Sequence, residues 1–187
     1  FVDEWHHTRM GEYTYACSDF KFKKGLVSAT KTSGHTLQIA DGLWLDKKFK
    51  AAMMKSIAQS ELDRKRFVYS DIGFILLQQV VEAVTGKTLD AYLVSEFYRP
   101  MGLEHTLFQP LNRYKKADIM PTAANDYLRR QDLCGYVHDE AAAFMGGVSG
   151  NAGLFSTAQE LGKIYQMILN EGELDGKRYL RPETCRI

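Results

Sequence analysis

Between Ile72 and Thr85 the pattern is helical, with Ile72, Ile75, Leu76, Gln79 and Val80 followed by Val84, all apolar but Gln79. Ser70 or Asp71 can accept the free N–H groups of the first turn, and Gly86 suits the left-handed position at the other end. The spacing predicts a helix there. Thr88 then caps a second helix carrying Leu89, Tyr92, Leu93 and Phe97, which Pro100 and Gly102 stop. Upstream, Asp46 can cap a helix running through Phe49, Met53 and Ile57, four residues apart each time so that they line one face. The polar run from Ser60 to Arg66 reads as a connection. Ser156-Thr157-Ala158-Gln159 has capping-box spacing and opens a helix with Leu161, Ile164, Ile168 and Leu169 before Gly172. Residues 1–45 lack sustained periodicity and read as irregular, with a short extended piece around Thr36–Ile39. Residues 103 to about 145 read as loop-rich. The expected class is mainly α, or α+β at most, in one domain: a loop-rich segment over 1–45 and a helical lobe over 46–187.

Composition narrows the function without naming it. The 187 residues are 45% hydrophobic and 25% charged, ordinary values for a globular chain able to bury a core. Its 24 basic and 23 acidic side chains leave a net charge of +1 and no long basic block, so nucleic acid is not an expected partner. Lys21, Lys23 and Lys24 read as a solvated face. Cys17, Cys134 and Cys185 are too few for a disulfide framework and show no CxxC spacing. One pair could form in an oxidising compartment, leaving one thiol over. His6 and His7 are adjacent rather than three or four apart, which makes a poor metal pair. No metal or other cofactor is expected, and no apolar run is long enough to span a bilayer. The start at Phe1 and the end at Ile187 both read as interior sequence, so the chain is expected to be a fragment of a longer protein.

Two stretches could carry chemistry. In Phe67-Val68-Tyr69-Ser70-Asp71-Ile72-Gly73-Phe74 a tyrosine, a serine and an aspartate sit on the turn that opens an apolar helix. A phenol titrates near pH 10, about three units above neutrality, so Tyr69 as a general base needs a nearby cation or a helix N-terminus. Asp71 can fix an ammonium or cap the helix. The plainer alternative makes Tyr69 a packing aromatic, and Ser70 and Asp71 simple caps. The second stretch, Gly146-Gly147-Val148-Ser149-Gly150-Asn151-Ala152-Gly153, lets the backbone pass close to a ligand or a neighbouring element. It is neither a Gly-x-Ser-x-Gly elbow nor a P-loop. His138-Asp139 reads either as a relay or cleft-wall pair, or as a surface histidine beside a capping aspartate.

Together these phrases resemble a family. Tyr69-Ser70-Asp71-Ile72-Gly73, Phe97-Tyr98-Arg99-Pro100-Met101-Gly102-Leu103, Gly135-Tyr136-Val137-His138-Asp139 and Gly146-Gly147 through Leu154-Phe155-Ser156-Thr157-Ala158 occur in this order. The chain is similar, over about residues 67–184, to the serine β-lactamase-related family of class C β-lactamases, DD-peptidases and esterases. It most resembles members appended to bacterial family 3 glycoside hydrolases. That family joins a Ser-x-x-Lys nucleophile, a Tyr-x-Asn base and a Lys-Thr-Gly or His-x-Gly edge strand in one cleft.

The resemblance implies Tyr69 as the catalytic tyrosine, with Asp71 where asparagine is usual and Ser70 between them. An ionised aspartate cannot donate a hydrogen bond, so amide recognition would differ. His138 and Asp139 are the candidate substrate-binding pair, on the cleft-wall reading of those residues. The resemblance further implies a periplasmic or cell-envelope location, a small-molecule or cell-wall peptide substrate for the parent protein, and a neighbouring glycosidase domain. Ser28-Ala29-Thr30-Lys31 fits Ser-x-x-Lys in letters only, because Thr32-Ser33-Gly34 breaks the helix that the motif needs. The expectation is therefore the helical lobe of a serine hydrolase, with the nucleophile and most of the antiparallel sheet outside the chain, inactive alone. The alternatives are a non-catalytic binding or scaffolding module and an independent small enzyme using Ser28 and Lys31, which would require Ser28 to lie next to Tyr69.

Overall fold

The computed structural model describes residues 22–60 and 69–186. Cys17, His6, His7, Lys21 and the 61–66 part of the polar connection lie outside those residues. Strands β1 (Val27–Ser28), β2 (His35–Ala40) and β3 (Leu43–Asp46) form an antiparallel sheet in the order β1-β3-β2. The region expected to be irregular up to residue 45 thus holds a hairpin, of which the extended piece at Thr36–Ile39 is one arm. Its period was hidden because Ile39 and Ala40 are buried in succession rather than alternately, next to a register shift between Gln38 and Ala40.

Helix α1 (Phe49–Ala58) buries Phe49, Met53 and Ile57, as their spacing requires. Asp46 ends β3 instead of capping, and its carboxylate accepts the Lys48 N–H at 2.7 Å. Helix α2 (Asp71–Thr85) starts at an extended Ser70 and ends at Gly86 with φ 67°. Its burial differs from the apolar stripe. Ile75 and Gln78 are buried, whereas Leu76, Val80 and Val84 are exposed. The helix is apolar nearly all round, so the stripe read from spacing is one of several it contains, and the described chain covers another. Helix α3 (Leu89–Leu93) runs into a π-helical turn, Val94–Tyr98.

Short elements follow: β4 (Leu107–Phe108), two 3-10 turns at Pro110–Asn112 and Lys116–Asp118, β5 (Pro121–Ala123), β6 (Leu133–Cys134) and helix α4 (Glu140–Phe144). Next come β7 (Leu154–Phe155), α5 (Ala158–Leu169), β8 (Glu173–Leu174), β9 (Lys177–Arg178) and α6 (Pro182–Cys185). The pairs β4–β7, β5–β6 and β8–β9 are antiparallel. Helical residues outnumber strand residues among those described. One core joins the hairpin, α1, α2 and α4, with the Phe49 and Phe144 ring centroids 5.1 Å apart. A second gathers Tyr98, Met101, Leu103, Met167 and Leu174 under α5. Cys134 and Cys185 are free thiols.

The start of α5 corrects the capping box by one position. Thr157 is the cap, accepting the Glu160 N–H at 3.3 Å, while Ser156 shares a 2.7 Å hydrogen bond with Thr106. Glu160 is buried where Leu161 was expected to lead the inner face. Its carboxylate accepts the Glu104 and His105 N–H groups at 2.8 and 3.0 Å and the Thr106 hydroxyl at 2.6 Å. Burial works against this charge, but the Thr106 hydroxyl and the His105 and Glu104 amides outweigh it and hold the carboxyl below its ordinary pKa.

Glu160→Ala strands three donors, so it should cost about 1–3 kcal/mol, read as a lowered urea midpoint. A depressed carboxyl contributes stability above its unfolded pKa of about 4.3 and loses it as pH falls through the folded value. The stabilities of wild type and variant should therefore converge on acidification.

Candidate functional site

Tyr69 stands immediately before α2. Ser70 turns the chain into the helix, and its hydroxyl accepts the Ile72 N–H at 3.3 Å, so of the two candidates it is Ser70 that caps. Asp71 is the first helical residue, where a carboxylate meets the positive end of the helix dipole. The Tyr69 ring is 61% exposed and leans on Phe74, with centroids 5.7 Å apart. The phenol therefore projects from a turn whose backbone is fixed.

The same turn meets the glycine run. A Cβ on Gly150 would fall on the Phe74 carbonyl, so only glycine lets the run seat against the start of α2. Gln78, one turn further along and 2% exposed, clamps that contact. Its Oε1 accepts the Gly150 N–H at 3.1 Å, and its Nε2 donates to the Val148 carbonyl at 3.3 Å and to Glu82 at 3.0 Å. Glu82 in turn accepts the Leu89 N–H at 3.1 Å. This bond does the work expected of Thr88, whose side chain makes no capping bond. One buried polar chain thereby joins the glycine run, α2 and α3.

The far side of the run is held through Asp139. Its Oδ1 accepts the Ala142 N–H at 2.7 Å, capping α4, and also the Asn151 side-chain amide at 3.0 Å. Ser149 donates to Asn151 Oδ1 at 2.6 Å. His138 is exposed, and its part in the assembly is played by its backbone. Arg129, buried, donates to the carbonyls of Val137 (3.2 Å) and His138 and pairs with Asp126 at 2.6 Å. Burial alone would raise the Asp126 carboxyl, but the bonds from Arg129 hold it below its ordinary value.

Reading the sequence missed Gln78, Asn151 and the Asp126–Arg129 pair. Gln78 lies three residues after Ile75, on the same helix face, and that spacing was the available signal. Asp126 and Arg129 share a loop with no periodicity to flag it.

Ser28 takes another role. It lies in strand β1 opposite Trp44, and its hydroxyl accepts the Thr30 N–H at 3.3 Å. Lys31 Nζ sits 5.5 Å from the centre of the Trp44 ring. The Ser-x-x-Lys lettering here is strand and bend, not the head of a helix.

Along α2 from Phe74 onward runs an apolar groove of about 340 Å³, bordered by Phe74, Leu77, Val81, Leu93, Phe108 and Leu154. Tyr98 also lines it, and burial pushes its phenol up to about 12.

Two substitutions test the assembly. Gly150→Ala should destabilise the chain by about 1–3 kcal/mol through overpacking against the Phe74 carbonyl. Arg129→Met leaves a buried carboxylate and two carbonyls without their donor, and should cost about 3–5 kcal/mol. Chemical denaturation measures both.

The chain matches the Beta-lactamase family over residues 29–186. It is 34% identical over 200 aligned residues to an Escherichia coli (strain K12) protein bearing the name of a D-alanyl-D-alanine carboxypeptidase. That alignment covers 100% of this chain and 46% of the relative. Against the N-acetylmuramyl-L-alanine amidase of Bacillus subtilis (strain 168) it is 42% identical over 119 residues, covering 57% of this chain and 27% of the amidase. Among solved structures, the octameric penicillin-binding protein homologue from Pyrococcus abyssi aligns with 75% of this chain and 34% of its own, at 15% identity and a TM-score of 0.44. The chain spans about half the length of the E. coli relative. With the family match running from just after β1 to the end of α6, the chain belongs to the Beta-lactamase family.

Proposed function

We propose that this chain is the tyrosine-bearing part of a β-lactamase-type serine hydrolase that cleaves an amide or ester through an acyl-enzyme. The observation that carries the reading is the clamped junction of the Tyr69 turn with the glycine run. It exposes a phenol at a helix start and against Phe74, which borders a groove able to receive an apolar group.

In the reaction, a serine outside the motifs of this chain attacks the substrate carbonyl and forms an ester with the acyl group. The proton lost by the serine passes to the departing amine or alcohol, and water then cleaves the acyl ester. Tyr69 is the relay for that proton, and a Ser-x-x-Lys lysine supplies the positive charge that a phenolate requires. Asp71 sits where it can hold such an ammonium while staying at the helix N-terminus. His138 and Asp139 belong to the cleft wall, with Asp139 acting through Asn151. The names of the E. coli and B. subtilis relatives both describe amide cleavage in peptides or peptidoglycan-type substrates. We carry that to this chain as a cell-wall peptide substrate and a cell-envelope location, with a glycosidase domain as neighbour.

Intact-mass labelling tests the assignment. The chain should form no adduct with a fluorophosphonate or a penicillin, and Ser28→Ala should behave identically. A stoichiometric adduct lost in Ser28→Ala would overturn the placement of the nucleophile outside this chain. In a longer polypeptide that includes a Ser-x-x-Lys segment, Tyr69→Phe should slow acylation by about 10²–10⁴-fold with the fold intact. An unchanged rate would remove Tyr69 from the mechanism.

A further inference from the structure

A second concavity, of about 230 Å³, opens between the β2–β3 hairpin and the first half of the glycine run. Its borders include Lys31, Gln38 and Trp44 from the hairpin side, and Gln109, Asn112 and Phe155 from the other. Gln38 and Trp44 are cross-strand partners, so the sheet register places them side by side. Gly135, Gly146 and Gly147 also line the cleft, with φ of 79°, 90° and 83°. A Cβ on Gly146 would come within 3.3 Å of Leu37, and one on Gly147 within 3.4 Å of Gln109, so these glycines keep the space open.

The charge here is of one sign. No Asp or Glu lines the cleft, and its cation is Lys31. Among the described residues no carboxylate pairs with that ammonium; it rests over the Trp44 ring. Asp41, the acid bonded to the lining residue Tyr136, is already engaged by Lys116. Each amide nitrogen already donates one of its two N–H groups: Gln38 Nε2 to the Ala40 carbonyl, Gln109 Nε2 to the Gly146 carbonyl and Asn112 Nδ2 to Gln109 Oε1. What the cleft offers a ligand is an ammonium, the amide oxygens of Gln38 and Asn112 with one further N–H on each of those side chains, and an apolar border of Trp44, Leu37 and Phe155. A complementary ligand carries a carboxylate, an N–H donor and an apolar group within a few ångströms of one another.

We infer that this cleft binds small N-acylated amino acids, with the carboxylate at Lys31, the amide N–H at the Gln38 and Asn112 oxygens, and the side chain against Trp44 and Phe155. The inference goes beyond the hydrolase reading and does not need it, since it concerns binding without turnover and none of its residues belongs to the Tyr69 turn.

An NMR titration of the ¹⁵N-labelled chain with N-acetyl-phenylalanine tests it, with the uncharged N-acetyl-phenylalaninamide as the second arm. The acid should shift the Trp44 indole and the Gly146 and Gly147 amides, with Kd in the millimolar range expected of so small a ligand. The amide should bind about threefold to fivefold more weakly, the worth of one exposed ion pair. Lys31→Gln, a change at an exposed side chain, should weaken the acid to the level of the amide and leave the amide unaffected. Equal binding of acid and amide to the wild-type chain would overturn the proposal. So would an acid affinity indifferent to Lys31→Gln, or shifts confined to the Phe74 and Leu77 groove.

Discussion

The side chain of Gln78 is the joint on which the rest of the candidate site depends. A buried primary amide has two donors and two acceptor positions to satisfy, and leaving any of them bare is costly. Gln78 spends them on Gly150 and Val148, some seventy residues away in the chain, and on Glu82, one turn along its own helix. Glu82 extends the connection to the N-terminus of α3. A hydrophobic residue at position 78 could fill the same space without setting the register of the glycine run, because apolar contacts are non-directional. Hydrogen bonds set the register here, and a glycine without a side chain makes the close approach feasible.

The other end of the run is held by charge. Arg129 is buried with Asp126 and bonds the carbonyls leading into Asp139, which in turn holds Asn151. A buried ion pair adds little net stability, yet it is intolerant of losing one partner, so it acts as a device for fixing geometry. The glycine run is thus pinned between a neutral amide on α2 and an aspartate whose own position is fixed by a buried guanidinium. On the proposed reading, in which Tyr69 transfers a proton, this is the kind of support that such a phenol needs behind it.

The helices were largely legible in the sequence because their signals are local. Phe49, Met53 and Ile57 lie on one face as their spacing requires, and Ser70 and Gly86 end α2 as their chemistry dictates. Three things were not legible. The β2–β3 hairpin lacks alternation, since Ile39 and Ala40 are both buried beside a register shift. The buried face of α2 could not be picked from spacing because the helix is apolar nearly all round, and the structure chooses the face containing Gln78. The Asp126–Arg129 pair is polar sequence in a loop, and only tertiary packing turns it into a core element. Of the candidate site, Tyr69 and the glycine run were visible as letters, while the residues that bring them together were not. The parts that act through long-range hydrogen bonds carry no period of their own.

Amide hydrogen exchange at Gly150, compared between the wild-type chain and Gln78→Met, tests most directly whether the Tyr69 turn and the glycine run form one clamped unit. Methionine matches glutamine closely in size and retains the helix, but cannot accept the Gly150 N–H. Gly150 should lose its protection in the variant while the amides of α2 around Ile75 keep theirs. Unchanged protection at Gly150 would show that the run is seated by packing alone, and would contradict the clamp.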